Sequence, residues 1–388
     1  MSTTLEVENL SEDNKKSNFR SQRIKLNGKQ ATTPIKAIDG AKVGGKDAVS
    51  SKAHGLFEVF KQIGPERIEK LCKNDDALTE YSRGLRGTYA KAEQNELRML
   101  FMKYDGEKAF PSSKENGLLT DLAHSYSDIT PIPIVNVKID DKNFQQYLNY
   151  IKEAYTLISR QNHKPIMGTI QMMPRDLLPK VLDYYLSVGI NAVCIDFNGQ
   201  TPDHLKMRPI LTHLGGKNAL ENSLLYLLNT KYGRAQKNVP VLPAKDFVAY
   251  GYGADILGCS HTFPKLPKSI WDRLNMLSEK EKRKKNAKRI FIKKDYGYHT
   301  VGSRNELEAI YPKETAVRFE RVLDSSQNDA KKLFNMEQQA IEATEIRKRL
   351  NSLDKKESIL DYILTKEQAK KEIGHFKRKP IQSSLFQF

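Results

Sequence analysis

Cysteine and tryptophan are scarce in this chain, at 3 and 1 of 388 residues. Cys72, Cys194 and Cys259 are odd in number and widely separated, which argues against a disulfide framework and against a CxxC-type zinc knot. A reducing compartment, the cytoplasm, is the expected location. No apolar run reaches the length needed to span a bilayer, about 18 residues, so no membrane partner is expected. The opening stretch MSTTLEVENLSEDNKKSNFR is polar throughout and does not read as a secretory signal. Acidic residues are in deficit: 47 Asp and Glu face 64 Lys and Arg, a net charge of +17. That balance favours a polyanionic partner, of which nucleic acid is the commonest. Neither GxGxxG nor GxxxxGK[ST] occurs, which removes the usual dinucleotide and P-loop signatures. No cofactor and no metal ion is expected.

What is present is a regular alternation of apolar segments. Residues 1–28 hold few large apolar side chains and many charges, and are expected to be a disordered tail. From residue 131 the pattern becomes strand, helix, strand. PIPIVNV (131–137), PIMGTIQ (165–171), NAVCID (191–196), VPVLP (239–243) and ADILG (254–258) read as buried strands. Between them, NFQQYLNYIKEAYTLIS places Phe144, Tyr147, Leu148, Ile151, Tyr155 and Ile158 at helical spacing. In DLLPKVLDYYLSVG, Leu178, Val181, Leu182 and Tyr185 share a face and Gly189 stands where a C-cap belongs. KNALENSLLYLLNTKYG reads as the next helix. Parallel βαβ units follow from this order. The expected fold is α/β, a (β/α)8 TIM-type barrel over 29–310 with a charged, basic helical extension over 311–388; an open doubly wound sheet is the alternative.

In parallel α/β folds the reactive groups lie at the C-terminal ends of strands. Those positions hold Asp39, Gln171, Asp196 with Asn198 and Gly199, and then Asp255, Cys259 and His261. A carboxylate closing an apolar strand can act as acid, base or nucleophile once desolvation raises its pKa, or can equally cap a helix or pin a loop. Asp196, Asp255 and Asp39 are therefore the candidate catalytic residues. Gln171 offers paired donor and acceptor to the edge of a planar base, with Asn198 and Gly199 as further substrate contacts. Cys259 and His261 form only a weak nucleophile pair, and a cation held by Cys259, His261 and His299 is no better marked. The densest cationic run, SEKEKRKKNAKRIFIKK, makes Lys284, Lys285, Lys288 and Arg289 the candidate nucleic-acid contacts.

The order of these segments resembles the tRNA-guanine transglycosylase family over about residues 30–300. GKQATTPIKAIDGAKVGG resembles that family's opening strand, and KPIMGTIQ the strand ending in its base-reading glutamine. VCIDFNG falls where its base-binding strand lies. VPVLPAKDFVAYGYGADILGC resembles the segment leading to the nucleophile. The resemblance implies a barrel that exchanges guanine for a deazaguanine-type base in tRNA or DNA, with Gln171 reading the base. The chain departs from the pattern at several points. If Gly253, Asp255 and Cys259 match Gly-x-Asp-x-x-Asp-Cys, Gly258 stands where the nucleophilic aspartate belongs; SGGFQ and the CxCxxC zinc motif are absent, and DFNG replaces GGLS. A non-enzymatic nucleic-acid-binding relative and a small-molecule barrel lyase using Lys36 or Lys42 as amine are the alternatives. The oligomeric state stays open between monomer and homodimer.

Overall fold

The computed structural model describes residues 5–12, 17–26, 28–44, 47–106, 109–161, 164–233, 239–262, 268–276, 278, 288–324, 328–352 and 358–377. Lys284 and Lys285 lie outside the described residues.

The described residues of the N-terminal segment are ordered where the sequence predicts disorder. Strands β1 (Glu6–Glu12), β2 (Arg20–Leu26) and β3 (Lys29–Thr32) form a three-stranded antiparallel sheet. Arg20, Ser21, Gln22, Ile24 and Leu26 are buried. The expectation failed because the segment's few buried apolar side chains, Leu5, Phe19, Ile24 and Leu26, all pack into the hydrophobic cores, although too few to mark a face in the sequence. Polar side chains secure it to the rest of the chain: Gln22 donates to the Glu221 and Ser223 carbonyls at 3.2 and 3.1 Å, and Arg20 forms a buried ion pair with Asp255.

Strands β4 (Ile35–Lys36), β5 (Ile38–Asp39), β6 (Leu56–Ile63), β7 (Leu97–Tyr104), β8 (Thr130–Pro131), β9 (Ile134–Val135), β10 (Ile166–Gln171), β11 (Ala192–Asp196) and β12 (Leu224–Leu228) follow. β13 (Val241–Pro243), β14 (Ile256–Leu257), β15 (Lys288–Ile292) and β16 (Gly297–Val301) complete the strands. One sheet runs β4-β14-β12-β11-β10-β8 and another β5-β6-β7-β9, with every pairing in both parallel. Only Ala37 separates β4 from β5, and only Ile132 and Pro133 separate β8 from β9.

Both faces of these strands are buried, as a mostly parallel sheet requires. Along β12, Leu224, Tyr226 and Leu228 pack in one core with Leu56, Phe101 and Cys194. Leu225 and Leu227 pack in the other with helix residues such as Tyr147 and Leu182. The helices Phe144–Ser159 and Leu178–Ser187 lie where periodicity places them; Leu178, Val181, Leu182 and Tyr185 are buried, and Gly189 adopts φ +77°. Two assignments are corrected. SLLYLL within 217–233 is strand β12 rather than helix, because a run of apolar residues fits a strand buried on both faces as well as it fits a helix. VPVLP supplies β13, which pairs antiparallel with β16 in a separate three-stranded sheet. The helix before β12 is His204–Gly216, with Pro209 inside it.

At the opposite end of the strands, His54 Nδ1 lies 2.9 Å from Glu96 Oε1, which also accepts the Gly55 N–H at 3.4 Å. The hydrogen bond to Glu96, helped by the charges of Glu96 and Glu93 against the opposing effect of burial, raises the His54 pKa above its ordinary value. Its stabilisation is full below the unfolded histidine value, about 6.5, and is lost as pH rises through the raised folded value. The stability advantage of the native chain over His54→Gln is therefore expected to be largest near pH 6 and to fade by pH 9 in urea titrations; a pH-independent difference would refute this origin.

Candidate functional site

The C-terminal ends of the parallel strands open on a cavity of about 960 Å³. The β4–β5 segment supplies Lys36, Asp39 and Lys42; the turn after β11 supplies Gly199, Gln200 and Thr201; β12 leads into Thr230 and Lys231; β14 leads into Gly258, Cys259 and Ser260. The 24-residue helix Asn328–Asn351 closes one side with Lys332, Asn335 and Gln339. Gly199 is required where it stands: it has φ +79°, and a Cβ there would lie 2.8 Å from Thr262 Oγ1 and 3.3 Å from Lys231 Nζ.

Cations dominate the lining. Lys36, Lys42, Lys206, Lys231 and Lys332 face two carboxylates, Asp39 and Asp246. Some are already engaged. Lys36 Nζ donates to Gly258 O at 2.7 Å, Lys206 to Thr201 O at 2.7 Å, and Lys42 lies 2.9 Å from Asp329 and 3.6 Å from Asp39. Burial works against the Lys42 ammonium, but Asp329 and Asp39 outweigh it and hold its pKa above the ordinary lysine value. For Lys332 the balance is reversed: burial, with Lys42 nearby, pushes its pKa down despite Asp329 and Asp39. Lys331 is lowered by burial and by the charges of Lys332 and Lys288. Burial is the larger cause for both, with neighbouring cations adding to it, and a bound anion would relieve both effects. On the far wall, burial raises the Asp246 pKa against opposing hydrogen bonds from Tyr298 and Gln339, and its Oδ1 is a buried acceptor without a partner among the described residues.

The candidates read from sequence are divided by the structure. Asp39 and Gly199 line the cavity. Asp196 is buried at the end of β11, where its Oδ1 accepts from Asn198 N at 2.8 Å and Asn229 Nδ2 at 2.9 Å. It pins the turn that follows. Asn198, at φ 47°, accepts from Lys103 Nζ at 3.4 Å. Gln171 accepts from Val135 N at 3.3 Å and donates to Val137 O at 3.1 Å, holding β10 to its neighbour. Asp255 stands at the other end of the molecule's strands: it precedes β14 and is held by Arg20 at 2.5 Å and by Leu225 N at 2.7 Å. Lys288 and Arg289 lie on β15, where Arg289 donates to the Val239 and Pro240 carbonyls at 3.0 and 3.3 Å.

A buried acid that the sequence does not single out lies beneath the cavity floor. Glu58, on β6 opposite Asp39, is fully buried. It accepts from His261 Nε2 at 2.5 Å, from Cys259 N at 3.0 Å and from the Tyr226 hydroxyl. Burial alone would raise its pKa, but the hydrogen bond and charge of His261, the Tyr226 hydrogen bond and the Lys36 charge hold it below the ordinary carboxylate value. The His261 ring stacks on Phe60 with centroids 4.6 Å apart, and its Nδ1 lies 3.8 Å from Asp39 Oδ2. His299 takes no part in this group; its Nε2 pairs with Asp295 at 2.7 Å. Glu58 also answers why residue 258 is glycine: a Cβ there would lie 2.7 Å from Glu58 Oε2 and 2.6 Å from the Tyr226 ring. Its one sequence signal is a lone charge inside the apolar half of LFEVFKQI.

No family model matches the chain, and no curated protein matches it. Among solved structures it is similar to the carboxyl transferase domain of Rhizobium etli pyruvate carboxylase. With 3-bromopyruvate, that structure gives a TM-score of 0.37 at 10% identity, covering 80% of this chain and 48% of that one. A second structure of the same domain gives 0.35 at 10% identity, again covering 80% and 48%. The chain thus spans about half the length of these neighbours, and similarity at this level carries no argument about what it does. Among the described residues, no helix is long and apolar enough to cross a membrane.

Proposed function

We propose that the two parallel sheets are the halves of one eight-stranded (β/α)8 barrel and that the cavity at its strand ends binds the sugar-phosphate backbone of a nucleic acid. The pairings of β4 with β14 and of β5 with β6, and of β8 with β10 and of β9 with β7, support closure at both seams. The observation that carries the binding reading is the lining itself, five lysines against two aspartates, because neutralising phosphates supplies much of the affinity of a protein for nucleic acid. The reaction proposed for the site is the one the family resemblance implies, exchange of a guanine for a deazaguanine-type base. Of the three carboxylates read from sequence, Asp39 is the one the cavity presents, so it is assigned to the sugar carbon from which the base departs, where positive charge develops. Asp196 and Asp255, which do not line the cavity, are assigned structural roles.

Reversing charge at Lys231 and Lys332 together is expected to weaken tRNA binding at least tenfold and to lower the slope of log affinity against log salt by about 2, one per phosphate contact. An unchanged slope would show that the lysines only solvate the rim. Asp39→Asn is expected to abolish labelled-base incorporation while leaving RNA affinity intact. If the native chain binds RNA but incorporates no base, the non-enzymatic reading replaces base exchange.

A further inference from the structure

Among the described residues, Glu58, Cys259 and His261 bring a carboxylate oxygen, a thiol sulfur and an imidazole nitrogen within 4.8 Å of one another. We propose that they form a divalent metal site of zinc type, with its remaining coordination position turned toward the cavity.

The donor chemistry is the first support. Mixed sulfur, nitrogen and carboxylate donors suit Zn²⁺, and three protein ligands with one position left open are the arrangement of a catalytic zinc rather than a structural one. Position is the second. Glu58 is fully buried behind the lining, His261 is partly exposed, and Cys259 lines the cavity, so an ion among them would face whatever the cavity holds. The third is the shell around them. A ligating histidine usually gives its other ring nitrogen to a carboxylate, and a ligating carboxylate is itself hydrogen-bonded. His261 directs Nδ1 toward Asp39 at 3.8 Å, and Glu58 already accepts from the Tyr226 hydroxyl and the Cys259 N–H. These contacts orient both ligands; the space among the three donor atoms is crossed by one hydrogen bond, from His261 Nε2 to Glu58 Oε1 at 2.5 Å, which the ion would replace.

One group opposes a cation. Lys36 Nζ lies 3.9 Å from Cys259 Sγ, though it is drawn off by the Gly258 and Leu257 carbonyls at 2.7 and 3.3 Å. On binding, the Cys259 thiol releases its proton to solvent and the thiolate takes the ion; the proton that His261 Nε2 shares with Glu58 also gives way, leaving the ring protonated at Nδ1 toward Asp39, and nothing is oxidised or reduced. The absence of a CxCxxC run is no obstacle, since the donors come from β6 and from the turn after β14.

The test uses the full chain, stripped with a chelator and titrated with Co²⁺ as a spectroscopic stand-in for Zn²⁺. The expected result is one Co²⁺ per chain with a thiolate-to-cobalt charge-transfer band, displaced by Zn²⁺. Cys259→Ser is expected to lose the band, Cys72→Ser to keep it, His261→Asn to weaken binding at least tenfold, and Lys36→Met to tighten it. Far-ultraviolet circular dichroism separates these effects from loss of fold; should Cys259→Ser fail to fold, His261→Asn and Lys36→Met decide. Absence of stoichiometric binding, or a band that survives Cys259→Ser, overturns the site. Because the readout is metal alone, it is independent of RNA binding and of base exchange.

Discussion

Arg20→Ala is expected to lower the unfolding free energy at pH 7 by about 3–5 kcal/mol, the usual cost of leaving one partner of a buried ion pair unpaired. Arg20 reaches both oxygens of Asp255, at 2.8 and 2.5 Å, and the carbonyls of Leu220 and Ser223 at 2.5 and 2.9 Å. Asp255 has no exposed side-chain surface and Arg20 very little. Even with Arg20 in place, burial outweighs the guanidinium and raises the Asp255 pKa above the ordinary aspartate value. Removing the guanidinium raises it further. A raised folded value means that the native state favours the protonated acid, so the penalty is absent below the unfolded pKa, about 3.9, and grows as pH rises toward the folded one. Urea titrations should show a smaller loss for Arg20→Ala at pH 4.5 than at pH 7. Replacing both residues with leucine should recover much of the loss, because an apolar pair escapes the desolvation cost. Deleting residues 1–26 should destabilise on the same scale as Arg20→Ala. A loss below about 1 kcal/mol, equal at both pH values, would show that the N-terminal sheet is an appendage, as its composition alone implies.

The contrast between β11 and β2 shows what a sequence exposes. NAVCID is short, apolar and bounded, and it forms β11 almost to the residue. The N-terminal strands are secured by hydrogen bonds and one ion pair to partners about 200 or more residues away, and no local pattern records such a partner. SLLYLL misleads for a different reason. Burial on both faces erases the alternation that marks a strand, and Pro209, inside the preceding helix, hides the helix that would have set the phase. The site follows the same division. Asp39 was legible as the last residue of an apolar strand followed by glycine. Lys206, Lys231 and Lys332 were not, because they come from three separate segments that only the fold brings together. The cationic run that did stand out lies mostly outside the described residues; Lys288, near its end, acts on the Lys331 ammonium by charge.

Gly258→Asp, which would give GADILGC the aspartate of the transglycosylase pattern it resembles, is expected to destabilise the protein by about 4 kcal/mol or more rather than create an active centre. Overpacking a filled position costs about 1–3 kcal/mol, and a Cβ at residue 258 would meet the Tyr226 ring at 2.6 Å, Glu58 Oε2 at 2.7 Å and Leu227 O at 3.0 Å. The new carboxylate would also enter beside the buried Glu58 carboxylate, and an uncompensated buried charge costs about 3–5 kcal/mol. Against a typical total of about 5–15 kcal/mol, much of the chain would be unfolded or carry a displaced β14. The same geometry specifies the compensating change. Glu58→Ala removes the opposing acid and opens space beside Tyr226, so Gly258→Asp should cost less in the Glu58→Ala background than in the native one, with a coupling of about 0.5–3 kcal/mol in a double-mutant cycle. Urea unfolding of the four proteins measures that coupling directly. Additive losses would mean that Glu58 does not fill the place an aspartate at 258 would need.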